Sequence, residues 1–141
     1  MVRIIMNGCN GHMGQVIAGL VAQDPETELA AGIDLEDKGL YACPVFTDIE
    51  KCDVPADVMI DFSSAKATDG VLEYCRSRKL PLVLCTTGLS EEQIRKVEET
   101  AKETAVLRSA NMSLGINTLL KLIQEATKVL AAAGFDMEIV E

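Results

Sequence analysis

Apolar and polar positions along this chain fall into short blocks whose period keeps changing. Val2, Ile4, Ile5 and Met6 form a run too short for a helix, so the pattern predicts a strand. Helical spacing follows over residues 15–22 and stops at Asp24-Pro25, because proline disfavours helix in the residue before it. A second strand is expected over 29–33, ending at Asp34, followed by a polar loop over 35–44 broken by Gly39 and Pro44. Val45-Phe46 reads as a short edge strand, and 53–56, with Pro55, as a turn. The compact run 58–61 reads as a buried parallel strand, and 65–78 as a helix with Ala67, Val71, Leu72 and Cys75 at helical spacing. Residues 82–85 give another strand. Ser90-Glu91-Glu92-Gln93 is a capping box that opens a helix reaching residue 104, with Ile94, Val97 and Ala101 inward. A strand at 105–107 follows. Residues 113–133 predict a long helix, N-capped by Ser113 and stopped at Gly134, with an apolar stripe of Ile116, Leu119, Leu120, Ile123, Ala126 and Leu130. Phe135, Met137 and Ile139 then alternate with Asp136 and Glu138, which is a strand pattern.

Strands that alternate with helices specify an α/β fold, a doubly wound, mostly parallel sheet covered on both faces. Ligands of such sheets bind outside the carboxyl ends of the strands. Here those ends carry residues 8–14, Asp34, 61–64, 85–88 and 109–113, all rich in small, polar or turn-forming residues.

The first of these segments carries the sharpest chemistry. Gly8, Gly11 and Gly14 follow the first strand and open the first helix. Gly8 suits a tight turn, Gly11 a close approach of backbone to a ligand, and Gly14 close packing of the helix on its strand. Asn10, before the second glycine, tolerates positive φ. Free N–H groups and the positive dipole end of the helix suit a pyrophosphate. Asp34 lies 20 residues past Gly14, where a carboxylate can accept hydrogen bonds from an adenosine ribose. Together these predict dinucleotide binding, although the glycine spacing is one residue longer than the usual G-x-G-x-x-G.

Composition narrows the partners. A net charge of −9 over 141 residues argues against nucleic acid, which needs a basic footprint. No apolar run approaches the ~20 residues of a membrane span, and a strand beginning within two residues of the start leaves no room for a signal peptide. The five cysteines, Cys9, Cys43, Cys52, Cys75 and Cys85, are odd in number and show no C-x-x-C spacing. With one histidine beside them, a metal site is not expected, and the thiols read as reduced, in a cytoplasmic protein.

The stretch SANMSLGIN at 109–117, together with the glycine turn, Asp61-Phe62-Ser63 and Cys85-Thr86-Thr87-Gly88, resembles 4-hydroxy-tetrahydrodipicolinate reductase, the dihydrodipicolinate reductase of diaminopimelate and lysine synthesis. The resemblance covers essentially the whole chain and implies a Rossmann-like domain over 1–134, with 135–141 leading into a substrate domain that these residues do not include. It implies a reductase that passes hydride from NADH or NADPH to a cyclic, unsaturated dicarboxylic imine, and a homo-oligomer for the full-length protein. Gly8, Cys9, Asn10, Gly11, His12 and Met13 would hold the pyrophosphate and Asp34 the ribose. Cys85, Thr86, Thr87, Ser109, Ala110, Asn111 and Met112 would line the nicotinamide side, and Phe62 would either touch the cofactor or pack in the core. The family's histidine pair, lysine and substrate-binding Gly-Thr segment have no counterpart in these residues, so the chain is expected to bind dinucleotide without turnover and to meet the dicarboxylate substrate only with the missing domain.

Two positions depart from many relatives: His12 stands where they have arginine, and Cys85 where they have glycine. Leu35 and Glu36 supply no cation for a 2′-phosphate and Lys38 is the nearest one, which predicts a preference for NADH. The competing readings are a non-catalytic dinucleotide sensor, a dehydrogenase of another substrate class, and a module that pairs with another chain through 135–140. Asp61 reads as structural, capping a turn.

Overall fold

The structure, a computed structural model, describes residues 1–140. The chain divides into two compact units, Met1–Ala110 and Asn111–Glu141. The division falls ahead of the long helix.

The first unit is a six-stranded, wholly parallel sheet. Its strands are β1 (Val2–Asn7), β2 (Thr27–Ile33), β3 (Val45–Phe46), β4 (Val58–Asp61), β5 (Leu82–Leu84) and β6 (Val106–Arg108), in the spatial order β3-β2-β1-β4-β5-β6. The chain winds outward from β1 to β3, then returns past β1 to build the other half from β4. The strand order therefore reverses between β1 and β4, and the carboxyl ends diverge there to leave a crevice. Helices α1 (His12–Val21), α2 (Thr68–Arg78) and α3 (Glu91–Thr100) supply crossovers, whereas β2 reaches β3 through a loop and β3 reaches β4 past a single 3-10 turn at Ile49–Lys51.

Strand alternation sorts the core. Ile5, Ala31, Ile33, Met59, Leu82 and Leu84 join Val71, Leu72, Tyr74 and Cys75 of α2 and Val97 of α3 in one buried cluster. Removing a side chain such as Ile5 or Leu84 fully from water contributes about 1.5–3 kcal/mol. Tyr74 enters this core because its hydroxyl donates to the Cys52 carbonyl at 2.7 Å. The pairing of β1 with β2 slips by one residue between Ile4 and Ile5, so that Met6 faces Gly32 and Asn7 faces Ile33. Gly32 leaves room there for the Cys9 side chain, since a Cβ would lie 2.8 Å from its sulfur. At the exposed start of β1, Arg3 donates through its backbone N–H, Nε and Nη2 to Asp57 just ahead of β4, and these bonds hold the Asp57 carboxyl at about 2.

Several boundaries differ from expectation. Helix α1 begins at His12 rather than 15, directly after Gly11, and α2 begins at Thr68 because 64–68 form a turn in which Ala67 N–H donates to the Ser64 carbonyl at 2.9 Å. Helix α3 ends at Thr100, which leaves Ala101 exposed rather than inward. Beyond it Glu103 pairs with Lys79 at 2.8 Å and Arg76 at 3.7 Å instead of extending the helix.

The second unit contains α4 (Leu114–Ala132), capped by the Ser113 hydroxyl accepting from Ile116 N–H at 3.3 Å. Gly134 takes φ +83 beyond its end, as a helix stop requires. None of the helix residues is buried. Residues 135–140 are not a strand, contrary to their alternating pattern. Alternation specifies which side chains share a face, but a strand also needs a partner for its backbone groups. Glu141, the last residue of the segment expected to lead onward, lies outside the described residues. Among those described, no helix is long and apolar enough to cross a membrane.

Candidate functional site

The crevice at the strand-order reversal is a cleft of about 490 Å³. Its walls come from the ends of β1, β2 and β4, with Gly8, Gly11, Asp34 and Phe62 among them. Its lining also includes the apolar residues Ile33, Leu35, Ile49, Ala67 and Val71.

The glycine turn is built by close backbone packing. Gly8 takes φ +78, and a Cβ there would lie 2.5 Å from the Phe62 carbonyl oxygen. Gly14 sits in the first turn of α1, where a Cβ would lie 2.2 Å from the Gly8 carbonyl oxygen and 2.7 Å from that of Cys9. Its smallness therefore lets the helix press against the turn itself, not against the strand as the sequence suggested. Gly11 is different: a Cβ would meet only the Gly8 oxygen, at 3.2 Å, and would otherwise face the cleft. Asn10 does not use positive φ, which among the described non-glycine residues occurs only at Lys79. It serves as a tie instead, its Nδ2 donating to the Glu36 carbonyl at 2.7 Å.

Helix α1 starts with no side-chain cap. Its first intrahelical bond runs from Gln15 N–H to the Gly11 carbonyl at 3.0 Å, so helix geometry leaves the N–H groups of His12, Met13 and Gly14 without intrahelical acceptors. Both side chains of His12 and Met13 are exposed. Beside this end, the Asp34 carboxylate accepts from Asn10 N–H at 2.7 Å and from Leu35 N–H at 2.8 Å. A carboxylate has about four acceptor positions, so two remain for further donors such as ribose hydroxyls.

Below the turn, Cys9 is fully buried against Gly32, and burial, reinforced by the Asp34 charge, pushes its thiol up to about 11. Tyr41 donates to the Cys9 carbonyl. Cys9 thus supports the turn from beneath and stays a neutral thiol at ordinary pH.

A polar network that the sequence did not reveal ties the strand ends together. Fully buried Asp61 accepts from Asn7 Nδ2 at 2.7 Å, from the Ser63 hydroxyl at 2.6 Å and from the Thr86 hydroxyl at 2.6 Å. Thr86 in turn accepts from Ser63 N–H at 3.1 Å. These bonds join the ends of β1, β4 and β5, and leave the Thr86 hydroxyl engaged within the protein. The signal was present in the register: Asn7 and Asp61 are paired polar residues, each following an apolar run at the end of its strand.

Of the remaining predicted residues, Cys85, Thr87, Ser109 and Ala110 follow the paired strands β5 and β6. Cys85 is buried, its thiol pushed up by burial and then by Asp61; Thr87 and Ala110 are exposed; Ser109 is half-buried, its N–H donating to the Leu84 carbonyl at 3.1 Å. Asn111 and Met112 belong to the second unit, where Asn111 Oδ1 accepts from Ser113 N–H at 2.8 Å and its carbonyl from Asn117 Nδ2 at 2.9 Å. Thr47, Ile49 and Lys66 line the cleft without having been anticipated. Among the described residues, no group of three or more His, Cys, Asp or Glu side chains could hold a metal.

The chain is 50% identical over its full length to 4-hydroxy-tetrahydrodipicolinate reductase of Caldanaerobacter subterraneus subsp. tengcongensis, covering 55% of that protein. It is 43% identical over its full length to the reductase of the same name from Clostridium perfringens, covering 56% of it. The chain therefore spans about half the length of the curated relatives it matches. A dipicolinate-bound dihydrodipicolinate reductase from Paenisporosarcina sp. TG-14 shares the fold, with TM-score 0.78 and 23% identity over 92% of this chain and 55% of that one. The family described as dihydrodipicolinate reductase, N-terminus, matches residues 2–112, nearly the span of the first unit, and this chain belongs to that family.

Proposed function

We propose that this chain is the cofactor-binding half of an NAD(P)H-dependent 4-hydroxy-tetrahydrodipicolinate reductase. The observation that carries the reading is the glycine turn: two glycines that no side chain can replace, and a third open to the cleft beside an uncapped helix end. A bound nicotinamide dinucleotide would supply the hydride. The chain's own residues would hold it, with the α1 N–H groups and the Gly11 surface accepting the diphosphate, and Asp34 accepting the ribose hydroxyls. The apolar residues lining the cleft suit an adenine ring. Residues from 135 onward would lead into the substrate domain, and the full-length protein would be a homo-oligomer acting in the cytoplasm on a cyclic dicarboxylate.

Asp34 favours NADH over NADPH, because a carboxylate beside the ribose repels a 2′-phosphate. Lys38 does not offset this, being paired with Glu36 at 3.3 Å. Fluorescence titration of the 141-residue chain with each dinucleotide tests both parts. Saturable binding is expected, with NADH tighter. Asp34→Ala should weaken NADH by about tenfold, the order of one or two charge-assisted hydrogen bonds, and should narrow the difference between the cofactors. Failure of both dinucleotides to bind would refute the assignment, and tighter NADPH would refute the preference. With enzymically generated substrate and NADH, no turnover by this chain is expected, since general-acid and substrate-anchoring groups are needed as well.

A further inference from the structure

We propose that Lys66 is the residue that sets how far the cleft tolerates a 2′-phosphate; the proposal rests on the dinucleotide reading above and deepens it. Lys66 is the one lysine or arginine among the described residues lining the cleft, which it shares with Asp34. Its backbone is held firmly at the rim. The Ala65 carbonyl accepts from Gln93 Nε2 at 2.6 Å, and the Ser64 carbonyl accepts from Ala67 N–H, so the turn carrying Lys66 is anchored to α3 and leads straight into α2.

The acids that would otherwise neutralise Lys66 are engaged elsewhere. Lys66 also borders an adjoining groove, where Asp69 pairs with Lys96 at 3.0 Å and Glu92 pairs with the same lysine at 3.1 Å. Lys66 itself forms no ion pair among the described residues. Lys38, the cation nearest Asp34 in sequence, is paired with Glu36 and does not line the cleft. A phosphate on the adenosine ribose would therefore enter a crevice whose lining holds one repelling carboxylate and one lysine without an ion pair among the described residues. The ammonium offsets part of the repulsion, so the chain discriminates between the two cofactors by degree.

The readout is the ratio of dissociation constants, NADPH over NADH, repeated with the minimal pair 2′,5′-ADP and 5′-AMP. Lys66→Gln should raise that ratio about fivefold, as expected for one partly exposed ion pair. Lys66→Arg, which keeps the charge, should restore it. The difference between Lys66→Gln and the unsubstituted chain should shrink at about 1 M salt, where screening acts within about 3 Å. A Lys66→Gln ratio equal to that of the unsubstituted chain, with both ligands still bound, would overturn this proposal and leave the dinucleotide reading intact. Loss of binding of every nucleotide by the unsubstituted chain would remove the dinucleotide reading and this inference with it.

Discussion

Single atoms decide what each glycine of the turn does, and two substitutions separate packing from binding. Gly14→Ala places a methyl 2.2 Å from the Gly8 carbonyl oxygen, which is backbone and cannot move without opening the turn. We expect a loss of about 2 kcal/mol in a urea melt, within the range for overpacking. Gly11 has φ −68 and ψ 166, which alanine adopts freely, and a Cβ there meets a single atom at 3.2 Å. Gly11→Ala should therefore melt within about 0.5 kcal/mol of the parent. Its affinity for NADH should fall at least about tenfold, because Gly11 lines the cleft and the methyl would stand against the proposed diphosphate. Equal stability losses in the two variants would show that the glycines share one role. The identity of these residues was legible in the sequence, as was Asp34 at the end of β2. Their partners were not: the Thr86 hydroxyl bonds Asp61, a choice made by the meeting of β4 and β5 rather than by any local pattern. Lys66 escaped notice for a similar reason, since only the fold brings it to the wall shared with Asp34.

At the level of elements, local chemistry was a good guide wherever it satisfied backbone groups by itself. The capping box at Ser90 is present, with Gln93 N–H donating to the Ser90 hydroxyl at 3.2 Å and the Gln93 side chain accepting from Ser90 N–H at 3.1 Å. The Ser113 cap and the stop at Gly134 also stand as expected. Ser90→Ala should destabilise the protein by about 1 kcal/mol, and Ser90→Asp by much less, since aspartate caps as well. A thermal melt that ranks the two variants the other way would contradict that account. The same substitution reaches the cleft indirectly, because Gln93 also fixes the Ala65 carbonyl ahead of Lys66. Elements that depend on distant partners were less legible. Residues 135–139 have the alternation of a strand but no ladder within the described structure, and the 3-10 turn at Ile49–Lys51 carries no periodic signal. Helix α2 starts three residues late because a turn at 64–68, tied to α3, takes the place of its first helical turn.

For the whole molecule, buried weak acids predict a one-sided response to alkali. Burial pushes the thiol of Cys75 up to about 12 and that of Cys9 up to about 11, from an ordinary value of 9.0. Cys85, Cys43 and the Tyr74 hydroxyl move in the same direction, each mainly because burial disfavours the charged form. A group raised on folding contributes fully below its unfolded value and loses that contribution as pH climbs through the folded value. Between pH 9 and about 11 the unfolded chain releases these protons and the folded chain keeps them, so the unfolding free energy must fall. The net charge of −9 grows more negative over the same interval and adds repulsion in the compact state. Urea midpoints should accordingly be level from pH 7 to 8.5, then decline steadily toward pH 10.5. Cys75→Ala should lower the midpoint at neutral pH through lost packing, but should flatten the alkaline slope, because one buried proton no longer distinguishes the folded from the unfolded chain. An unchanged slope in that variant would mean that Cys75 is not kept protonated by the core, and that the alkaline loss comes from the other buried groups and from surface charge.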